Sequence, residues 1–329
     1  MKKLFALALL FCTWVASGQQ VIGTIDFYGA AAVDTVAVLN RLGIHTGAPG
    51  IVNTSDLSRK LLKLPGIKRA DVAGICCQDG KQNVFIGIDD GSLPTLTLRP
   101  ISGTTIKLPH EVVTAYQKFE IASRLAVQAG DNGDDLEQGH SLLKNDSARK
   151  YQLQFIDLAN RYTGLLLAVL EGSTVERERE IASMVLAYAD DKSFVAGKYA
   201  GVLNDPSPAV RNNLLRAFHG FGLYGKKHPD ADLHIDMKTF LVLLHSVQWT
   251  DRDKALFALL ALTDSRPKGI MEALQKQAIP ALEQMARWKS EGHAILAFII
   301  LGRAKGIPDE SIFQSWQGDR GVVLGAGGN

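Results

Sequence analysis

The chain has 329 residues, with 36 Lys and Arg against 34 Asp and Glu, a formal net charge of +2. So even a balance lacks the basic footprint of a nucleic-acid binder, and it gives no strong attraction to an anionic membrane surface. The length suggests two or three domains.

The first residues carry a leader pattern. Lys2 and Lys3 precede an apolar run from Leu4 to Val15, and Ala16 and Gly18 supply small residues before Gln19. This predicts a secretory signal over 1–18, cut after Gly18, and an exported chain, periplasmic or extracellular. The run is shorter than the roughly 20 residues of a membrane span. Bulky Phe11 before Cys12 disfavours a lipid anchor. Loss of Lys2 and Lys3 brings both charge counts to 34, and no later segment reads as a span.

Residues 19–90 form the first predicted domain. Val21 to Tyr28 alternates, with Ile22, Thr24, Asp26 and Tyr28 on one side. Val33 to Leu42 has helical spacing, and Thr54 or Ser55 caps a second helix that Pro65-Gly66 stops. Ile67 to Cys77 and Asn83 to Asp89 read as strands around an Asp79-Gly80 turn. Cys76 and Cys77 are neighbours on a strand, where side chains point to opposite faces, so one buried and one exposed thiol is expected. A vicinal disulfide or an intermolecular bridge stays open. The order β-α-α-β-β, with Leu64-Pro65-Gly66-Ile67-Lys68-Arg69-Ala70-Asp71-Val72 leading from helix to strand, resembles a POTRA-type domain. The resemblance covers roughly residues 20–90 and implies a small α+β module that binds polypeptide. Only one copy is visible and no barrel follows. A three-stranded sheet has an open edge that either accepts a partner strand or is capped. Residues 91–110 are a linker, in which Thr95 to Leu98 could add a strand as the cap.

Helical pattern then runs over 111–317. In its C-terminal part a period of 41 residues relates Leu203, Leu244 and Met285, then Ala200, Leu241 and Leu282, then Arg211, Arg252 and His293. Val195 to Leu203, the turn Asn204-Asp205-Pro206-Ser207-Pro208 and Ala209 to Phe221 form the clearest unit. Thr239 to Leu262 and Ile279 to Arg303 follow. The helix, Asp-Pro turn, Val210-Arg211 pair and second helix resemble a HEAT repeat. That resemblance implies an all-α solenoid, each pair burying on its neighbour the apolar face it cannot cover alone. For residues 111–190 a plain helical bundle is the alternative.

The second helices of such a stack line a concave face, where Arg211, Asn212, Arg216, Arg252 and Lys254 are candidate partner-binding residues. Alternatively, Arg211 and Arg252 pair with carboxylates of neighbouring turns and align the stack. The residues 318–329, with five Gly, read as a flexible tail.

The expected function is an exported protein-binding scaffold of the cell envelope, its partner another protein or peptide held by the sheet edge and the concave face. It is not expected to be an enzyme, and no catalytic residue or cofactor is assigned. One alternative is a metal-dependent hydrolase using the 228–234 loop, with His228, Asp230, Asp232 and His234 as ligands of a type that suits zinc. Another is a purely structural subunit. Asp131-Asn132-Gly133-Asp134-Asp135 lacks the ligand order of a calcium loop and reads as a turn between helices. Gly139-His140-Ser141 is not a nucleophile elbow.

Overall fold

The computed structural model describes residues 20–30, 33–78, 80–131, 133–231, 233 and 237–325. The expected signal over 1–18 lies outside them, as do the side chains on which the thiol state of Cys76 and Cys77 depends.

The chain begins with β1 (Val21–Tyr28), α1 (Thr35–Leu42), α2 (Thr54–Leu61), β2 (Arg69–Gln78) and β3 (Lys81–Asp89). Asp34 and Asn53 start the two helices by accepting backbone N–H groups of the first turn. The strands form one sheet in the order β1-β3-β2, with β1 parallel and β2 antiparallel to β3. The central strand is buried on both faces. One face packs Ile25, Val84, Ile86 and Ile88 against Val38, Leu57 and Leu61 of the two helices.

The strict alternation expected along β1 does not hold. The β1–β3 register slips between Ile22 and Ile25. This bulge puts Ile22 in the helix-covered cluster with Ile25, while Tyr28 joins the core on the other side.

That other face of the sheet rests on the helical body. Phe85 meets Trp249, Trp288 and His293 at ring-centroid distances of 5.4, 5.1 and 5.0 Å. Buried Asp26 accepts the backbone N–H groups of Lys289 and Ser290 at 2.7 and 3.0 Å. The approach is close at Gly87, where an added Cβ would run into the Val247 carbonyl. Gly87→Ala is therefore expected to destabilise the protein by about 1–3 kcal/mol through overpacking. Urea denaturation followed by tryptophan fluorescence reads this, and an unchanged midpoint would mean that the sheet does not dock as described.

The sheet edges are partly occupied from within. Ile22 donates to Ala48 O and accepts from Gly47, and the Trp288 indole N–H donates to Phe27 O. On β2 the Val72 N–H goes to Ser58 Oγ. Residues 91–109 add no strand. They run extended over the helical body, because helix ends and turns there take their hydrogen bonds. Arg99 N–H donates to Asn204 O, Ile106 N–H to Ser173 Oγ and Leu108 N–H to Glu178 Oε2.

The body continues with α3 (His110–Gln128), a short hairpin of β4 (Asp134–Asp135) and β5 (Leu142–Leu143), and α4 (Asp146–Gly172), which is capped by Asn145 and bent at Tyr162. Then come α5 (Glu176–Val185), α6 (Lys192–Ala200), α7 (Pro208–Lys227), α8 (Met237–Leu244), α9 (Trp249–Leu262), α10 (Lys268–Gln277), α11 (Ile279–Ala286) and α12 (Glu291–Ala304). α4 packs on α5, α6 on α7, α8 on α9 and α11 on α12, while α5, α7, α9 and α12 pack successively on one another. The 41-residue register marks matching places in three of these pairs. Leu203, Leu244 and Met285 are fully buried, and Arg211, Arg252 and His293 all lie in the first turn of α7, α9 and α12.

α13 (Asp309–Gln317) and α14 (Gly321–Leu324) close the described chain. The tail expected to be flexible from residue 318 is packed as far as α14. Val323 and Leu324 are buried, and their carbonyls accept from Lys305 Nζ and Arg287 Nη2. The apolar run Val322-Val323-Leu324 outweighs the glycines around it. Residues 326–329 lie outside the described set. No helix among the described residues is long and apolar enough to cross a membrane.

Candidate functional site

Arg211 and Arg252 do not lie on an exposed surface; they are 3% and 0% exposed. Arg211 donates through Nε and Nη2 to Asp251 at 2.9 and 3.0 Å, and Arg179 makes the same paired contact with Asp205 one turn earlier in the stack. These are internal fastenings between successive turns. Arg252 breaks the series. Its guanidinium lies 4.3 Å over the Tyr28 ring and donates to Ser246 O, and the carboxylates of Asp71, Asp251 and Asp253 act on it only through space. Burial lowers its pKa to about 10.

Asn212 is half-buried on α7. Arg216 and Lys254 line a cavity of about 350 Å³. Helical spacing puts Asn213, Arg216 and Ala217 on one face of α7 and Lys254 and Phe257 on one face of α9. Met184 of α5 and the turn residues Ala187 and Tyr188 continue the wall, and the β4–β5 hairpin closes it with Asp134, Leu136, His140 and Ser141.

Several contacts fix the hairpin. Buried Gln152 of α4 accepts from Leu143 N–H at 2.7 Å and donates to Ser141 O at 2.9 Å. The Tyr188 hydroxyl donates to the same carbonyl at 2.6 Å. Against α7 the hairpin backbone comes so close that a Cβ at Gly220 would stand 2.8 Å from Gly139 O. The segment Asp131 to Asp135, expected as a turn between helices, is thus one limb of a wall-forming hairpin, with Asn132 outside the described residues.

The polar groups have definite states. Lys192, 4% exposed, donates to Ala187 O and Ala189 O and contacts His140 Nδ1 at 2.9 Å. An ammonium has only donors, so Nδ1 must accept and the His140 proton sits on Nε2. Burial, and then the Lys192 charge, lower the His140 pKa to about 4; burial lowers that of Lys192 to about 8. His140 is therefore a neutral donor at pH 7, and its buried Nε2 has no hydrogen-bond partner among the described residues. Burial, with Arg216 and Lys254 nearby, brings His219 to about 4 as well.

Ser141 Oγ donates to both oxygens of Asp134 at 2.8 Å, and burial raises the Asp134 pKa. The serine proton faces a carboxylate and not the imidazole, so the trio does not have the geometry of a Ser-His-Asp relay. Asn213 Nδ2 donates to Glu180 O and Ser183 Oγ, which leaves its amide oxygen as an acceptor. Arg216 is exposed and has no hydrogen bond or ion pair among the described residues. Lys254 bonds Asp253 at 2.7 Å and lies 4.9 Å from the Phe257 ring centroid. The arrangement can hold an amphipathic ligand that accepts hydrogen bonds from cations at one end.

Of the proposed metal ligands, His228 is exposed and stacks on Tyr224 at 4.1 Å, and Asp230 is also exposed. Asp232 and His234 lie outside the described residues. Among the described residues no three His, Cys, Asp or Glu side chains are grouped to hold a metal ion.

The hairpin residues Asp134, His140 and Ser141 were not legible as site residues. The available signal was the break in helical spacing between Ala129 and Asn145, with the buried Leu142-Leu143 pair inside it. Compared with family models, curated proteins and solved structures, the chain matches none.

Proposed function

We propose that the protein is an exported binding scaffold of the cell envelope, without catalytic activity of its own, that holds a polypeptide partner along the row of α5, α7 and α9. The observation that carries this reading is Arg216: an exposed guanidinium at a mixed apolar and polar cavity, with no partner among the described residues. The N-terminal sheet is a POTRA-like module in this reading, and the helical body a HEAT-like solenoid. The β-α-α-β-β order and the successive packing of the second helices support both names. Lys2, Lys3 and the apolar run after them support export. The outer side of β2 is a second place for a partner strand. β1 is less suitable, since Gly47, Ala48 and Trp288 occupy its edge.

A photocrosslinking residue at position 212 should trap one reproducible polypeptide from envelope extracts. In the Arg216→Ala variant the yield is expected to fall about tenfold or more, with an unchanged melting temperature, since truncated interface arginines commonly cost over 1 kcal/mol. Equal trapping from position 272, on exposed α10, would sink this reading.

A further inference from the structure

We infer that the cavity beside Arg216 is a built subsite for an α-carboxylate that carries an apolar side chain and an adjacent N–H, as at the C-terminal end of a polypeptide or in a free N-acylated amino acid. This rests on the reading of the α5–α7–α9 face as the partner-binding face.

Charge comes first. The buried arginines Arg179 and Arg211 each have a carboxylate, whereas Arg216 has none among the described residues. Lys254 shares its charge with Asp253. Among the described lining residues one carboxylate, Asp134, accepts the Ser141 hydroxyl and feels the Arg216 charge without pairing with it. Arg216 thus keeps its donors open to a ligand carboxylate. A guanidinium fork matches the two oxygens of a carboxylate. The His140 Nε2–H is a second, independent sign of a ligand. The residue is 95% buried in the cavity wall and this donor has no acceptor among the described residues, while Lys192 holds the proton at that nitrogen; Nε2 is closed off in the empty wall, so a ligand oxygen reaches it as the wall opens. A buried donor left unmade is costly, and a ligand oxygen would satisfy it.

Acceptors stand close to these donors. The Asp134 carboxylate and the free Asn213 amide oxygen suit an N–H. A dianionic phosphate would meet the Asp134 charge and offer neither acceptor a proton. Met184, Ala187, Ala217 and Phe257 supply apolar wall, and about 350 Å³ has room for one side chain with its carboxylate but not for a folded element. The combination of cation, acceptor and apolar wall distinguishes a chain end from an internal Asp or Glu.

The test uses fluorescein-labelled hexapeptide pools ending in Leu, Ile, Val, Phe or Met, with a free or an amidated C-terminus. A third pool has an amidated end and an internal Glu. Anisotropy with the purified mature chain should show the free-acid pool bound about tenfold or more tightly than either amidated pool. N-acetyl-leucine should compete. If it competes as well as the peptides do, the shared carboxylate chemistry holds and the rest of the peptide adds nothing. Arg216→Ala should abolish the preference and Arg216→Lys should restore part of it, both with wild-type melting. Equal binding of free and amidated pools, binding of the internal-Glu pool alone, no binding of any pool, or a preference that survives Arg216→Ala would each overturn the inference. Crosslinking from position 212 separates the two failures. If trapping persists while no pool binds, only the carboxylate subsite is wrong; if trapping is lost as well, so is the partner-binding reading.

Discussion

Asp205→Ala is expected to cost the fold about 3–5 kcal/mol, the usual consequence of leaving buried charges without their counter-ion. Asp205 is fully buried and uses both oxygens. One accepts from Arg179 Nε at 3.0 Å and from Arg99, the other from Arg179 Nη2 at 3.1 Å and from Ser207 N–H at 2.8 Å. Arg99 also donates to Leu170 O and Glu171 O, so this carboxylate joins the strap over 91–109 to the end of α4, to α5 and to the start of α7. Its removal strands two guanidinium groups that are otherwise shielded from water. Proteins of this kind have a total stability of about 5–15 kcal/mol, so the variant retains little margin. Equilibrium urea unfolding reads the loss. A change below about 1 kcal/mol would mean that water reaches this node, as it does in surface pairs.

The second large effect is a loss of stability on mild acidification. Unfolded histidine titrates near 6.5, whereas His140 and His219 in the fold titrate near 4. Between these values the unfolded chain binds protons that the folded chain excludes. The contribution is complete above pH 6.5 and is lost as pH falls toward 4, by up to about 1.4 kcal/mol per pH unit for each group. For His140 this totals about 3 kcal/mol. His219 is partly exposed and gives less. Lys192 opposes charge on His140, with Asp190 and Asp135 acting weakly the other way, and Arg216 and Lys254 oppose it on His219. His293, also lowered by burial, adds to the same slope. Asp26, Asp71 and Asp134 run the opposite way. Burial raises their pKa above 3.8, so their contribution is present below 3.8 and is lost as pH rises through the raised values. They offset the lower end of the window. Melting temperatures from pH 7.5 to 4.5 should fall, and the fall should be smaller in His140→Asn. A flat profile to pH 5 would contradict dry, neutral histidines.

The helix pairs were legible because their signals are local. Leu214, Phe218 and Phe221 repeat at helical spacing, and Ser207-Pro208 marks a start that the structure retains. Arg211 itself was half-legible. It stands three, four and seven residues before Leu214, Leu215 and Phe218, so it shares the buried stripe, whereas Arg216 falls off it. What fixes Arg252 was not legible: the Tyr28 ring over which it lies is brought in by sheet docking from the far end of the sequence. The β4–β5 hairpin depends on Gln152, Tyr188 and Gly220, none of which neighbours it in the chain. The bulge in β1 had one local signal, Gly23, since a glycine inside a strand pattern often marks a bulge, but its effect on register follows from the ladder with β3.

The docked sheet has a temporal consequence. β1 to β3 are made first, yet the face with Tyr28 and Phe85 is covered by α9 and by Trp288 and His293, which are made roughly 200 residues later. At about 5–20 residues per second, that aromatic face waits about 10–40 s for its cover. The strand edges wait with it, since Trp288 and Gln284 fill part of β1's outer side. C-terminal truncation before residue 249 would leave that face bare for good, and so prone to aggregation.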